Sequence, residues 1–210
     1  MHPAPSLIVF TTLSGLGFGL IAWLGLGVHD GAAPWVALVY CLLAGALAAG
    51  GLLASLAHLG HPERAWRALS QWRSSWLSRE GVLAVATLAV FAVYGALWGL
   101  WGVRVAPLGL LAGALALATV LSTAMIYAQL RAVPRWAHWT TPALFLGLAL
   151  AGGAILAGRT TAGALLLLAT LGVQLLHWRH GATAYARAGS SIGTATGRSR
   201  SPRPRRRFAR

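Results

Sequence analysis

Long apolar runs alternate with short polar breaks along this chain. The runs occupy Leu7–Gly27, Trp35–His58, Val82–Trp101, Leu108–Leu130, Thr141–Gly158 and Ala162–Trp178. Crossing a bilayer as a helix takes about 20 apolar residues, with a range of about 17 to 25. All six runs fall within that range, the last two at its short end. Only Arg159–Thr161 separates those two, which predicts a tight helical hairpin. No segment alternates with the period of a strand, and an open sheet cannot satisfy its edges in lipid. The pattern predicts an all-α polytopic transmembrane bundle of about six spans over residues 1–180. Residues 181–210 read as a basic, disordered tail.

Small residues suggest how the spans pack. Gly15/Gly19, Gly95/Gly99 and Gly109/Gly113 each place two glycines four apart on one helix face. Such pairs let helix backbones approach closely in lipid, although glycine is common in membrane helices in any case. Gly15-Leu-Gly17-Phe-Gly19 is not a dinucleotide fingerprint, since it lacks the third glycine and the βαβ setting.

Composition agrees with a membrane protein. The chain is 57% hydrophobic and only 10% charged, with a mean hydropathy of +0.68. A soluble domain carries about a quarter charged residues. The net charge of +14 excludes little by itself, because nine of the 17 arginines lie beyond His177. It describes a tail and some loops rather than a nucleic-acid-binding surface. The arginines do orient the bundle. One set of loops, with the termini, carries 15 of them, and the other set carries Arg104 and Arg159 alone. Positive-inside bias then predicts both termini on the cytoplasmic side of a bacterial inner membrane. Met1–Ser6 has no charged n-region, so the first run does not read as a signal peptide. Cys41 is the only cysteine and lies within an apolar run, which excludes an internal disulfide and a cysteine-held cluster.

The most informative break runs from Leu59 to Gly81. Gly60 and Pro62 end the second span, and Pro62 can open a short new helix. On that helix Trp66, Leu69, Trp72 and Trp76 share one face while Arg64, Arg67 and Gln71 share another. This is the pattern of an interfacial helix with tryptophans at headgroup level. Ser78 is the expected N-cap of the third span, which would put Glu80 in its first turn, where the helix dipole favours a carboxylate. Of the other two acidic residues, Asp30 reads as a solvated turn residue and Glu63 as a partner of Arg67.

His58 and Glu80 fall at one membrane depth. An imidazole and a carboxylate placed so suit a quinone, whose redox reaction moves two protons with two electrons. Spacing alone leaves a second reading open, with His58 capping its helix and Glu80 paired with an arginine. A haem is not expected, since no span interior carries a histidine. His177 and His180 are three apart without a third metal ligand. His2 and His61 read as exposed, and His29 lies in a loop on the far side.

His58-Leu-Gly-His-Pro-Glu-Arg-Ala, Ser78-Arg79-Glu80, and Tyr127 followed by Val133-Pro134-Arg135-Trp136 resemble the membrane anchor subunit of dimethyl sulfoxide reductase. The opening His2-Pro3-Ala4-Pro5-Ser6, with Phe10-Thr11-Thr12, resembles the branch associated with sulfite-oxidising molybdoenzymes. The resemblance covers Met1 to about Gly197. It implies eight helices, no haem or metal in this chain, and a quinone (menaquinone or ubiquinone) bound beside an iron–sulfur electron-transfer subunit. That subunit in turn contacts a molybdopterin catalytic subunit, so this chain would be a non-catalytic part of an oxidoreductase. The family's functional histidine and glutamate fall on His58 and Glu80, with Arg79, Arg64 and Tyr127 as supporting candidates. Arg67, Trp66, Trp72, Arg135 and Trp136 are the candidate docking residues for the iron–sulfur subunit.

The end of the chain departs from the family. Gly197 is followed by Arg-Ser-Arg-Ser-Pro-Arg-Pro-Arg-Arg-Arg-Phe-Ala-Arg where two more helices are expected. This composition cannot form a span. It reads either as a truncated or frame-shifted terminus or as a natural tail. A small transporter or scaffold without a redox role is the alternative function, and the scarcity of charge inside the spans speaks against an ion path.

Overall fold

A computed structural model describes residues 5–56 and 61–187. These form α1 (Pro5–Gly25), α2 (Pro34–Leu56), a 3₁₀ segment (Pro62–Gln71), α3 (Trp76–Trp101), α4 (Ala106–Ala128), α5 (Thr140–Leu156) and α6 (Thr160–Arg187). No strand occurs among the described residues. Five helices are long and apolar enough to cross a membrane, namely α1 to α4 and Thr160–Tyr185 of α6. The fifth run, Thr141–Gly158, forms only the 17 residues of α5. That is about 26 Å at the usual helical rise, just short of a typical hydrocarbon core.

Helix α1 lies at the centre, packed on α2, α4 and α5. Helix α3 lies against α2 and α4, α6 rests on α5, and the 3₁₀ segment lies against α3. Close approach depends on absent side chains. A Cβ at Gly19 would run into the Ala149 carbonyl of α5, and one at Gly153 would run into Gly19. Gly95 and Gly99 face Cys41 and Leu38 of α2, and Gly109 and Gly113 face Gly25 and Ala22 of α1. Those two expected pairs therefore sit at helix contacts. The pair Gly15/Gly19 does not, because Gly15 meets nothing within 4 Å.

The loops joining α1 to α2, α3 to α4 and α5 to α6 are short and lie at one end of the bundle, here the short-loop end. Gly102 closes α3 with φ +70°, giving its N–H to the Leu97 and Trp98 carbonyls. Gly158 (φ +71°) makes the turn of the α5–α6 hairpin. The opposite end carries the 3₁₀ segment and the Arg131–Trp139 loop, and is the basic end.

Two boundaries differ from expectation. Helix α3 starts at Trp76, and its N-cap is Ser75, whose hydroxyl accepts from the Ser78 N–H at 3.4 Å. Arg79 folds back onto the Trp72 and Arg73 carbonyls, so the chain turns before Ser75. Trp76 thus belongs to α3 rather than to the interfacial helix, and Glu80 lies past the first turn. Helix α6 continues to Arg187 although its apolar run stops at Trp178. Its polar last turns run beside the Arg131–Trp139 loop, where Arg135 lies against Gly181 and His138 stacks on His180.

Candidate functional site

On α3, Glu80, Ala84, Thr87, Phe91, Tyr94 and Trp98 recur at alternating steps of four and three, and all are buried. This is the spacing that keeps one seam against a neighbouring helix. Opposite it, α4 presents Gly109, Ala112, Ala116, Thr119 and Thr123, all buried. Small residues on α4 bring the two helices together and leave the threonines within reach of α3. The Thr87 and Thr119 hydroxyls are 3.2 Å apart. Thr123 donates to Glu80 Oε1 at 2.5 Å. Glu80 is 5% exposed, and among the described residues no cation forms a salt bridge with it. Burying a carboxylate with so little compensation is costly. The packing tolerates it at one place, the junction of α3 and α4 near the basic end.

Thr123 also lines a groove. A cavity of about 410 Å³ opens between α1, α4 and α5, with Thr12, Ser14 and Thr123 as polar points among Leu16, Leu148 and Ile155. It shares Thr11 and Phe145 with a second cavity of about 280 Å³ nearer the basic end. Leu7, Tyr127, Trp136 and His177 line that second cavity. Tyr127 stacks on Phe145 at 5.4 Å and meets the edge of Trp136 at 5.6 Å. The two adjoining cavities make a mostly apolar slot, and the larger lies in the size range of small-molecule sites of roughly 300–1,000 Å³.

His177 is buried at the wall of this slot. Its Nδ1 lies 2.8 Å from Thr140 Oγ1, which lies 2.9 Å from His138 Nδ1. His180 stacks on His138 at 3.9 Å. Burial, with the cationic neighbours His180 and Arg187, pushes the His138 imidazole below its usual range. Among the described residues no three metal-capable side chains converge, and the His138 and His180 rings face each other rather than a common point. Sequence reasoning missed this chain of groups. The available signal was His138-x-Thr140 at the mouth of the predicted α5–α6 hairpin, which places it opposite the end of α6.

The other candidates fall as follows. Arg79 donates to Trp72 O at 3.0 Å and to Arg73 O at 2.7 Å, and lies over the Trp76 ring at 4.4 Å. Arg64 lies 3.7 Å from exposed Glu63. Neither arginine is brought to Glu80. Glu63 pairs with His61 at 3.0 Å instead of Arg67. A 3₁₀ segment has three residues per turn, so positions four apart no longer align. Arg67 lies over Trp66 instead. Asp30 is not merely a solvated turn residue, since Arg104 donates to it at 3.1 Å. Trp66 and Trp72 are exposed beside Arg67 and Arg73. His58 lies outside the described residues, as does 188–210 of the basic tail.

The family profile described as DMSO reductase anchor subunit (DmsC) matches residues 1–178. The chain belongs to that family. It is also 36% identical over 182 residues to a sulfite dehydrogenase subunit of Allochromatium vinosum, covering 77% of this chain and 56% of the relative. It therefore spans little more than half the length of that curated relative. No solved structure matches. As a membrane anchor subunit, the chain has a bundle in which one buried carboxylate, Glu80, touches a groove-lining hydroxyl. This is also the glutamate on which the family resemblance placed the functional role.

Proposed function

We propose that this anchor subunit binds a quinone in the slot between α1, α4 and α5. There it would couple the quinone pool to an iron–sulfur subunit of a molybdopterin oxidoreductase. The observation that carries the reading is Glu80, buried without a salt bridge among the described residues and hydrogen-bonded to Thr123, which lines the 410 Å³ cavity. The slot suits an amphiphilic ring with an apolar tail: Tyr127 and His177 are polar points of the smaller cavity, Thr12, Ser14 and Thr123 of the larger, and apolar side chains such as Leu16, Leu148 and Ile155 line the larger cavity between them. A bound quinone supplies two-electron, two-proton redox chemistry. The chain's own part is to hold the ring, exclude water from it and exchange protons at Glu80 through the Thr123 hydroxyl. His58 is the second proton-exchanging group in this reading, on the strength of the family resemblance.

The name of the Allochromatium relative favours sulfite oxidation with electrons delivered to quinone over sulfoxide reduction. The basic end faces the cytoplasm of a bacterial inner membrane in this proposal. It docks the iron–sulfur subunit through Arg67 and Trp66 on the 3₁₀ segment and Trp72 just after it, with Arg135 and Trp136 of the Arg131–Trp139 loop at the same end of the bundle. Arginine and tryptophan are the residue types commonest at binding hot spots. The test is Glu80→Gln and His58→Ala in the assembled complex. Quinone-coupled turnover should fall roughly 100-fold, the scale of one lost acid–base group, while activity with a soluble dye feeding the catalytic subunit persists. Retention of both activities would overturn the assignment.

A further inference from the structure

We infer that His177, Thr140 and His138 form a second proton-exchanging arm of the slot, with His177 Nε2 as the atom that holds one oxygen of a quinone or quinol ring. The inference rests on the quinone reading above and adds a group which that reading does not use.

Four observations lead to it. His177 is 7% exposed, yet it lines the 280 Å³ cavity with Leu7, Thr11, Tyr127, Trp136 and Phe145. All the hydrogen bonding found for it among the described residues is at Nδ1, on the side of Thr140. Nε2 is left for whatever enters. The cavity around it offers aromatic faces, Tyr127 stacked on Phe145 with Trp136 at its edge. Such faces suit a flat ring. Finally, the groups behind His177 lead outward. Thr140 is fully buried, His138 is half-buried in the Arg131–Trp139 loop, and His180 stacks on it.

The hydrogen bonds allow two neutral arrangements of this chain. In the first, His138 Nδ1 accepts from the Thr140 hydroxyl and also from the Thr140 N–H at 3.4 Å. Thr140 Oγ1 then accepts from His177 Nδ1–H, and Nε2 presents a lone pair to a ring hydroxyl. In the second, His138 Nδ1–H donates to Thr140, Thr140 donates to His177 Nδ1, and Nε2–H points at a ring carbonyl. Neutral imidazole carries one proton on either nitrogen, which is what permits both.

Passing from the second arrangement to the first moves one proton in balance. It leaves Nε2 for the ring oxygen, the Thr140 proton moves to His177 Nδ1, and the His138 proton moves to Thr140. His138 regains its proton from solvent. The two electrons come from the iron–sulfur partner, and the second proton comes by way of Glu80 and Thr123. Quinol oxidation runs each transfer in reverse. His180, Arg135 and Arg187 are the charged or titratable neighbours of this arm and set its electrostatics.

The test uses the full-length chain in phosphatidylethanolamine–phosphatidylglycerol nanodiscs with an azido-naphthoquinone photolabel. Saturable labelling, competed by menadione and mapped to peptides holding Tyr127, Trp136 or His177, is the expected result. Thr140→Val keeps the shape of the site and removes the hydroxyl. It should leave menadione affinity within about threefold and lower quinone-coupled turnover of the assembled complex at least tenfold, with dye-fed activity unchanged. His177→Ala should weaken menadione binding at least tenfold. Saturable label confined to peptides away from these residues, or full coupled turnover in Thr140→Val, would overturn the second arm and leave the quinone reading standing. No saturable label anywhere would overturn both.

Discussion

Arg104 and Arg79 sit at opposite ends of the bundle, and their surroundings differ. Arg104 is largely covered. It donates to Asp30 at 3.1 Å, to Tyr94 Oη at 3.3 Å and to the Gly25 carbonyl at 3.4 Å. Tyr94 in turn donates to the Leu24 carbonyl at 3.0 Å, so one guanidinium ties α1, α3 and the first loop together. Arg159 does similar work at the same end by donating to the Val28 carbonyl at 2.9 Å. At the basic end, Arg79 caps a local turn and lies over an indole, while the buried polar groups Glu80 and His177 each touch one threonine beside open volume. The short-loop end uses its polar groups to close the fold. At the basic end Thr123, the partner of Glu80, and His177 line open volume. Buried side-chain atoms without a hydrogen-bond partner among the described residues occur at both ends, His29 Nε2 in the first loop and Ser78 Oγ at the start of α3, so the contrast lies in the open volume beside Thr123 and His177.

The largest test of this contrast is glycine against glycine. Gly109 lies where a Cβ would meet the Tyr94 ring and the Gly25 carbonyl, whereas Gly15 lines the groove with nothing within 4 Å. Gly109→Val should cost about 3 kcal/mol, at the upper end of overpacking penalties. Gly15→Ala should be neutral or stabilising by about 0.5 kcal/mol through helix propensity. Detergent denaturation of the two purified variants measures both. Equal stability of the variants would show that the short-loop end is not the tightly closed one.

Next in size are the two arginines themselves. Arg104→Ala removes charge-assisted bonds to partly buried acceptors and should cost about 2 kcal/mol. Arg79→Ala removes bonds at an exposed turn and should cost less than about 1 kcal/mol. Thermal unfolding in detergent, followed by helical circular dichroism, ranks them. If Arg79→Ala proved the more damaging, the division of labour between the two ends would be reversed.

A smaller effect is expected at Thr87 and Thr119, midway between the ends. Each hydroxyl also has a carbonyl of its own helix within reach, Leu83 at 2.7 Å and Leu115 at 2.9 Å. Their coupling in a double-mutant cycle to valine should therefore be about 0.6 kcal/mol, the average for such bonds in membranes. A coupling several times larger would mean that this pair, rather than packing of small residues, holds α3 to α4.

How much of this could be read from the chain depends on how far apart the partners lie. The seam Glu80, Ala84, Thr87, Phe91, Tyr94, Trp98 is a local repeat, and so is the small-residue stripe of α4. Both were legible, and with them Glu80 facing Thr123 was within reach. The start of α3 was misplaced because Ser75 and Ser78 are equally good caps by residue type. Only the fold-back of Arg79 distinguishes them. The bond from Thr140 to His177 joins residues 37 positions apart, and that from Tyr94 to the Leu24 carbonyl joins residues 70 apart. No periodicity encodes such pairs. They follow from which helices pack together, and in lipid that choice rests on glycines such as Gly19 and Gly153 rather than on polarity. The same reason explains the failed pair at Gly15. Spacing identifies glycines on one face but not which face meets a neighbour.

The smallest predicted effect concerns His138, at the mouth of the basic end. Burial first, then His180 and Arg187, lowers its pKa in the folded chain. The neutral form is therefore favoured on folding. As pH falls through the ordinary histidine range, near 6.5, the unfolded chain takes up a proton that the folded chain still refuses. Stability from this site is thus fully present above about pH 6.5 and declines as pH falls toward the lower folded value. Replacement by glutamine removes the titration but keeps a polar side chain beside Thr140. Melting temperatures of the native chain and of His138→Gln, measured from pH 7.5 to pH 5, should diverge on acidification. The native chain should lose the more stability of the two. The difference will be small because His138 is only half-buried and solvent screens its neighbours. Parallel curves would show that the basic end does not hold this imidazole neutral. Curves diverging in the opposite sense would show that it is held protonated, and a charged His138 would block the tautomer exchange proposed for the His177 arm.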